Sequence, residues 1–385
     1  MSVAPSTAVT SRSPLRRRRK RILCAGIALL ALALIVLAVV CWSFASLVVV
    51  PNHSALPRDA GVVSASTNKV VLSRSNDSLR PGIYGLDWDG GHAIVGPVLG
   101  SDSHSVTRQL RDVKGRLVPG TRVTLDSSVY EGNPRQTLGL PFSNVPVAGE
   151  LGAMPAWLIP GPTRTWAILV HGINRNREND LRIVPTLHRA GLPTLLITYR
   201  GDVGAPGGPD GLHHMGLTEW RDLQAAARYA LAHGARQLVL IGYSMGGAIV
   251  TQFMEHSPLA HQVSGLVLDA PALSWTKILA FNAKEEGFPS FAARPVEWII
   301  GLRVSADWSS LEALHHSSSF HLPILLFHGT EDKVVPISLS DSFARELPRW
   351  VTYYRVPHAG HVESWNVDSG SYDRRLAAFL SALGG

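Results

Sequence analysis

Three patterns of hydrophobic and polar positions follow one another along this chain. Ile22 to Val50 carries no charge, and its first 21 residues are almost wholly apolar. About 20 such residues span a bilayer, and a soluble helix of that length would show a polar face, so the run predicts a transmembrane helix. From Pro51 to Glu150 the apolar residues come in short runs: Val62–Val63, Lys69–Ser73, Ile83–Trp88, His92–Leu99, Val106–Leu110 and Arg122–Leu125. Gly, Pro, Asn and Asp separate them, which is a strand-and-turn pattern. Within Trp88–His92, Asp89-Gly90-Gly91 supplies the positive φ that a tight hairpin needs. From Leu151 onward, strands alternate with helical periods. Trp166–Val170, Thr194–Tyr199, Leu238–Ile241, Val263–Leu268, Pro323–Phe327 and Val351–Val356 read as strands. Glu178–Arg189, a segment capped by Thr218 and running to His233, Ile337–Glu346 and Tyr372–Leu383 read as helices. Such alternation predicts a mostly parallel sheet covered on both faces. The expected organisation is a basic tail over 1–21, an anchor over 22–50, a β-rich module over 51–150 and an α/β domain over 151–385, with Met1–Pro14 disordered.

Charge alters this picture at one end only. The formal charge is +7, but seven of the 36 Lys and Arg lie between Arg12 and Arg21, leaving 29 against 29 acidic residues in the rest. A basic face on the folded part is therefore unsupported, and no nucleic-acid partner is expected. By the positive-inside rule the Arg16–Arg21 cluster stays cytoplasmic, facing anionic headgroups, and everything after the helix lies outside. Ser43-Phe44-Ala45 loosely resembles a signal-peptide cleavage site, but a signal peptide has a shorter apolar core of about 7–15 residues, so an uncleaved anchor is expected. Both cysteines, Cys24 and Cys41, fall in the apolar run. On one helix they stand about 26 Å apart and cannot pair. A thiol-free remainder excludes a cysteine nucleophile, a disulfide and a Cys-based zinc site there.

The candidate chemistry centres on Gln237–Phe253, QLVLIGYSMGGAIVTQF. A β-favouring run stops at Gly242-Tyr243-Ser244-Met245-Gly246, and a helical period begins at once. G-x-S-x-G between strand and helix is a nucleophile elbow, in which Gly242 and Gly246 avoid a Cβ clash and Ser244 projects above the sheet. A serine hydroxyl needs a base, and the base needs a carboxylate to fix its tautomer. In this topology the order along the chain is Ser, acid, His, each after a strand. The strand in PILLFHGTEDKVVP leads to Asp332, and VTYYRVPHAGHVESW supplies His358 and His361. His361, after Ala359-Gly360, is the expected base with His358 as runner-up. Asp332 is the expected orienter, with Asp269 at the end of GLVLDAP as the alternative acid. Oxyanion donors are expected from the Met245 amide and from the Ile173 amide in WAILVHGINRN, where Gly172 permits the turn and His171 is structural. Adjacent histidines at 213–214 and 315–316 point in different directions, and no carboxylate or thiol cluster joins His358 and His361, so no metal or other cofactor is expected.

On HGIN at His171, GYSMGG at Gly242, HGTEDKVVP at His328 and HAGH at His358, the chain from Leu151 to its end resembles an α/β-hydrolase, close to the serine-aminopeptidase-like and lysophospholipase-like group and to membrane-anchored proteins with such domains. The resemblance implies a central parallel sheet and a triad of Ser244, Asp332 and His361. The implied activity is hydrolysis of carboxylic esters by a serine hydrolase; the anchor makes acyl or lipid esters the expected type, and the charge rule makes the catalytic domain extracytoplasmic. Peptidase or amidase activity is the alternative, and a non-catalytic envelope protein keeping the fold is a second. The segment from Pro271 to Leu322, with Trp275, Phe281, Phe288, Phe291, Trp298, Ile299, Ile300 and Trp308, is expected over the active site, as helix packing or as an apolar acyl site under a cap.

Overall fold

The computed structural model describes residues 14–384, so the expected disorder over 1–13 lies outside the described residues, while Pro14 already opens a helix. That helix, α1, spans Pro14–Val49 and takes in part of the segment expected as tail. Its stretch Arg21–Val49, 29 residues, is long and apolar enough to cross a membrane. At 1.5 Å per residue it measures about 43 Å against a hydrocarbon core of about 30 Å. The chain divides into two compact units, the second running from Val49 to Gly385.

The second unit holds two sheets. The six expected strands of the β-rich module form, as β1 (Ala60–Ala65), β2 (Lys69–Ser73), β3 (Tyr84–Trp88), β4 (Gly91–Ser101), β5 (Ser105–Lys114) and β6 (Arg122–Asp126). They close into a barrel in the order β1-β2-β5-β4-β3-β6, with every pairing antiparallel. Closure removes the exposed edges of so small a sheet, and the alternating side chains of β2 and β5 send Val70, Leu72, Val106 and Leu110 inward. Asp89-Gly90 makes the two-residue turn between β3 and β4, with Gly90 at φ 77°. Gly91 has a separate reason: a Cβ there would sit 2.2 Å from the Trp88 ring. Trp88 and His92 are themselves buried, His92 against Asp87 at 2.6 Å. Short helices α2 (Asn76–Leu79) and α3 (Pro134–Leu138) flank the barrel strands.

The larger sheet has eight strands. Antiparallel β7 (Ser143–Gly149) and β8 (Gly152–Ile159) are followed by β9 (Thr165–Val170), β10 (Thr194–Ile197), β11 (Gln237–Tyr243), β12 (Val263–Asp269), β13 (Ile324–Gly329) and β14 (Val351–Val356). The order is β14-β13-β12-β11-β9-β10-β8-β7, parallel from β10 through β14. Because β7 pairs with β8 along its whole length, the sheet begins eight residues before the boundary expected at Leu151. A hairpin strand with mixed polarity gives no periodicity by which to tell one sheet from the other. The helices are α4 (Val184–Arg189), α5 (Trp220–Ala232), α6 (Met245–His256), α7 (Trp275–Glu285), α8 (Ala293–Val304), α9 (Ser338–Glu346), α10 (Ser364–Val367) and α11 (Ser369–Leu383). Thr218 does not cap α5; Glu219 holds that position, its carboxylate accepting from the amides of His214, Gly216 and Thr218. Strand β11, buried on both faces after Gln237, carries a continuous apolar run because helices cover each side.

The segment from Pro271 to Leu322 forms a helical layer, closed at its base where Ser274 and Thr276 both donate to Glu312 at 2.7 Å. Its aromatic residues do not converge as the acyl-site reading requires. Trp275 and Ile300 pack inward, whereas Phe291 and Trp298 are 70% and 67% exposed. They alternate around the helices and so divide between core and surface.

Candidate active site

The elbow forms where β11 gives way to α6. Ser244 takes φ 53°, ψ −117°, a conformation costly for any residue with a Cβ. Two glycines make it sterically feasible: a Cβ on Gly242 would meet Gly246 O at 2.6 Å, and one on Gly246 would meet Val170 O at 2.0 Å. Backbone cannot give way as a side chain can. Gly246→Ala is therefore expected to lower stability by about 3 kcal/mol or to leave the protein insoluble; thermal unfolding measures this, and a stable alanine variant would contradict the packing. Gly172 is needed for contact rather than for a turn, since its Cβ would lie 3.2 Å from Ser244 Cβ. This brings the Ile173 segment against the serine. Met245, the first helical residue, has no intrahelical acceptor for its amide.

Ser244, His361 and Asp332 stand in one line. His361 Nδ1 lies 2.8 Å from Asp332 Oδ2 and its Nε2 lies 2.9 Å from Ser244 Oγ. A carboxylate only accepts, so Nδ1 carries the proton and Nε2 is left to accept from the serine hydroxyl. Asp332 is buried and accepts at Oδ1 from the amides of Val334 and Val335 at 2.8 and 2.9 Å. Burial works to raise its carboxyl, but the His361 imidazole and hydrogen bonds from His328 and His361 hold it well below the usual carboxylate range. His328, to which no role was expected, is fully buried beside it, within 3.2 Å of Asp332 Oδ2 and 3.0 Å of Val335 O.

The two alternatives lie elsewhere. His358 is exposed and pairs with Glu331 at 2.9 Å. Asp269 ends β12 with its carboxylate accepting from Ser364 at 2.8 Å, and its backbone carbonyl accepts the Ser244 amide. Strand position alone places both acids above the sheet edge; only loop conformation distinguishes them.

Behind the Ile173 segment, His171 is fully buried, with Nε2 on Asp202 and Nδ1 on Gly172 O, both at 2.9 Å. Tyr199 stacks on it and also donates to Gly172 O. Both ring nitrogens face acceptors, so the imidazolium form fits. Burial opposes that charge, but Asp202 outweighs it and lifts His171 to about 9. A base whose folded value is raised stabilises most below its ordinary 6.5 and loses that contribution as pH rises through about 9. Buried Asp180, lifted to about 7 chiefly by burial, acts over the window below that. The melting temperature is thus expected to fall between pH 7 and 9.5, and His171→Asn to flatten that decline; an equally steep curve in the variant would reject the assignment.

A polar cleft of about 280 Å³ opens beside the same segment, lined by His53, Arg58, Asp87, Asp126, Asn174 and Arg175 among others.

Residues 161–304 match the family described as serine aminopeptidase, S33, and residues 61–126 match a domain of unknown function, DUF8805. The uncharacterized protein Rv2307c of Mycobacterium tuberculosis is 26% identical over 212 residues, covering 53% of this chain and 66% of the relative, just short of two thirds of its length. The uncharacterized protein YfhR of Escherichia coli K12 is 24% identical over 285 residues, 69% of this chain and 90% of that protein. The solved structure of the Pyrococcus furiosus esterase Pf2001 aligns with a TM-score of 0.55 at 20% identity, covering 66% of this chain and 95% of that one. At such identity the likeness shows the fold.

Proposed function

We propose that this chain, which has the α/β-hydrolase fold and resembles the serine-aminopeptidase-like group, is a membrane-anchored serine hydrolase that cleaves carboxylic esters of acyl or lipid type. The observation that carries the reading is the line Ser244–His361–Asp332, with both imidazole contacts at hydrogen-bond length. In this reading His361 Nε2 takes the Ser244 proton as Oγ bonds to the ester carbonyl carbon. The Met245 and Ile173 amides hold the oxyanion, and Asp332 stabilises the imidazolium. His361 returns the proton to the departing alkoxide as the carbonyl–oxygen bond breaks, and water then releases the acid from Ser244 by the same relay. The 29-residue apolar helix sets the protein where such esters partition.

The test is a fluorophosphonate probe on the detergent-solubilised chain, with the modified peptide mapped by mass spectrometry. The adduct is expected on Ser244; a folded protein that takes no label there overturns the reading. A chain-length series of acyl esters beside aminoacyl amides then separates esterase from peptidase, with esters expected to turn over faster. For orientation, a single cysteine placed after Pro51 in a Cys24→Ser, Cys41→Ser background is expected to react with an impermeant maleimide from outside the cell; reaction from the cytoplasmic side alone would invert the topology.

A further inference from the structure

The barrel makes hydrogen bonds to both loops that bear on Ser244. Glu363, buried two residues beyond His361, accepts from Arg80 Nη1 and, at 3.1 Å, from the Tyr84 hydroxyl, and turns back to the Gly360 amide in its own loop. Asn366 donates to Ile83 O at 2.7 Å and Ser127 O at 3.0 Å, while Ile83 N donates to Asn366 O at 2.9 Å. The approach is close enough to need a glycine: Gly82 has φ 101°, and a Cβ there would stand 2.0 Å from Asn366 O. The holding segment is itself fixed from within the barrel. Arg108, fully buried, donates to the carbonyls of Ser78, Arg80, Gly82 and Gly96, and Arg80 reaches back to Leu125 O. On the other side, Asp126 accepts from Arg175, Ser128 from Asn179, and the Gly132 amide donates to Glu178, all in the segment after Ile173. Arg182 ties the two loops together, donating to Asn179 O, Val362 O and Asn366 Oδ1.

We infer that the barrel is a positioning element of the active site, in which Arg80, Tyr84 and the turn at Gly82–Ile83 hold the His361 loop through Glu363 and Asn366. The inference rests on the reading of Ser244 and His361 as nucleophile and base, and gives the barrel a role in that reaction beyond spacing. Its physical ground is that the loop is not self-sufficient. His358 and Val362 both take positive φ, at 61° and 57°, and such strain persists only where surroundings over-determine it. Without Arg80 and Tyr84 the Glu363 carboxylate is buried without its barrel donors, and the loop gains reason to relax toward solvent. A relaxation on the order of 1 Å at His361 is enough to reduce turnover by roughly 100-fold. Arg80, Tyr84, Glu363 and Asn366 are positioning residues that act through His361.

The test uses the full chain in detergent with Arg80→Met, Arg80→Lys and Tyr84→Phe, and with Val147→Ala, buried on the edge strand β7 at the opposite end of the large sheet from β14, as a control remote from the loop. For Arg80→Met, kcat is expected to fall roughly 10- to 100-fold, with KM within about twofold. Arg80→Lys should recover part of the loss and Tyr84→Phe should give a smaller one. Val147→Ala should lower the melting temperature and leave kcat in place. Hydrogen exchange over 358–367, read by mass spectrometry, should quicken in Arg80→Met and Tyr84→Phe but not in Val147→Ala. Folded Arg80→Met and Tyr84→Phe proteins with wild-type kcat and unchanged exchange overturn the inference, as does a kcat loss in Val147→Ala equal to theirs. Failure of the wild type to label at Ser244 would instead sink the enzymatic reading, and the exchange measurement would still decide whether the barrel restrains the loop.

Discussion

Ser244→Ala is expected to abolish ester turnover, by roughly six orders of magnitude if the background hydrolysis of the substrate permits the measurement. The reason is that, among the described residues, the Ser244 hydroxyl is the oxygen at the end of the imidazole, 2.9 Å from Nε2, and no other takes its place. The fold should be indifferent to the change. The backbone already holds a residue with a Cβ at φ 53°, alanine included, and the lost hydroxyl bonds only the histidine among the described residues. Unaltered melting temperature with lost turnover is thus the expected pair of results. Residual turnover above about one thousandth of wild type would mean that another group attacks, and His361 would then be serving a different partner.

The second large effect concerns the acid. Asp332→Asn should lower kcat by about 10,000-fold, whereas Asp269→Asn should stay within severalfold. The asymmetry follows from who donates to each carboxylate. Asp332 Oδ1 faces two backbone amides and Oδ2 faces His361 and His328, so every neighbour is a donor. An asparagine has one acceptor end. If it serves the two amides, which cannot rotate away, its NH2 group meets His361 Nδ1 and forces the proton onto Nε2. That tautomer cannot take the serine proton. At Asp269 the carboxylate accepts only from the Ser364 hydroxyl among the described residues, a bond that an amide oxygen can keep. Comparable losses in both variants, or a larger one at Asp269, would transfer the orienting role to β12.

Much of this arrangement was legible because it is local. The elbow is written in residues 242–246, where strand, glycine, serine and helix follow without a gap, and each glycine answers to a clash within a few residues or across one neighbouring strand. The barrel strands were legible one at a time through period-two burial, as in β2 and β5. Their closure was not, because the pairing of β1 with β6 joins segments some sixty residues apart that carry no mark of one another. The same limit explains why Glu363, Asn366 and Arg182 went unassigned. A glutamate beside a loop histidine looks like solvent-facing polarity until a barrel arginine arrives from 283 positions away to bury it. The aromatic residues after Pro271 left helix packing and an acyl site both open for the converse reason: composition gives their number, while the helical turn decides which of them face inward.

What the amino-acid order determined alone is the apolar helix, the alternation of strands and helices, the strained serine and the succession of serine, acid and histidine, since each depends on neighbours along the chain. What tertiary structure decided is which acid meets the imidazole, which histidine meets the serine, and that the barrel grips the loop between them. Those choices turn on hydrogen bonds of 2.7–3.1 Å between residues tens to hundreds of positions apart, and no spacing along a chain carries that distance.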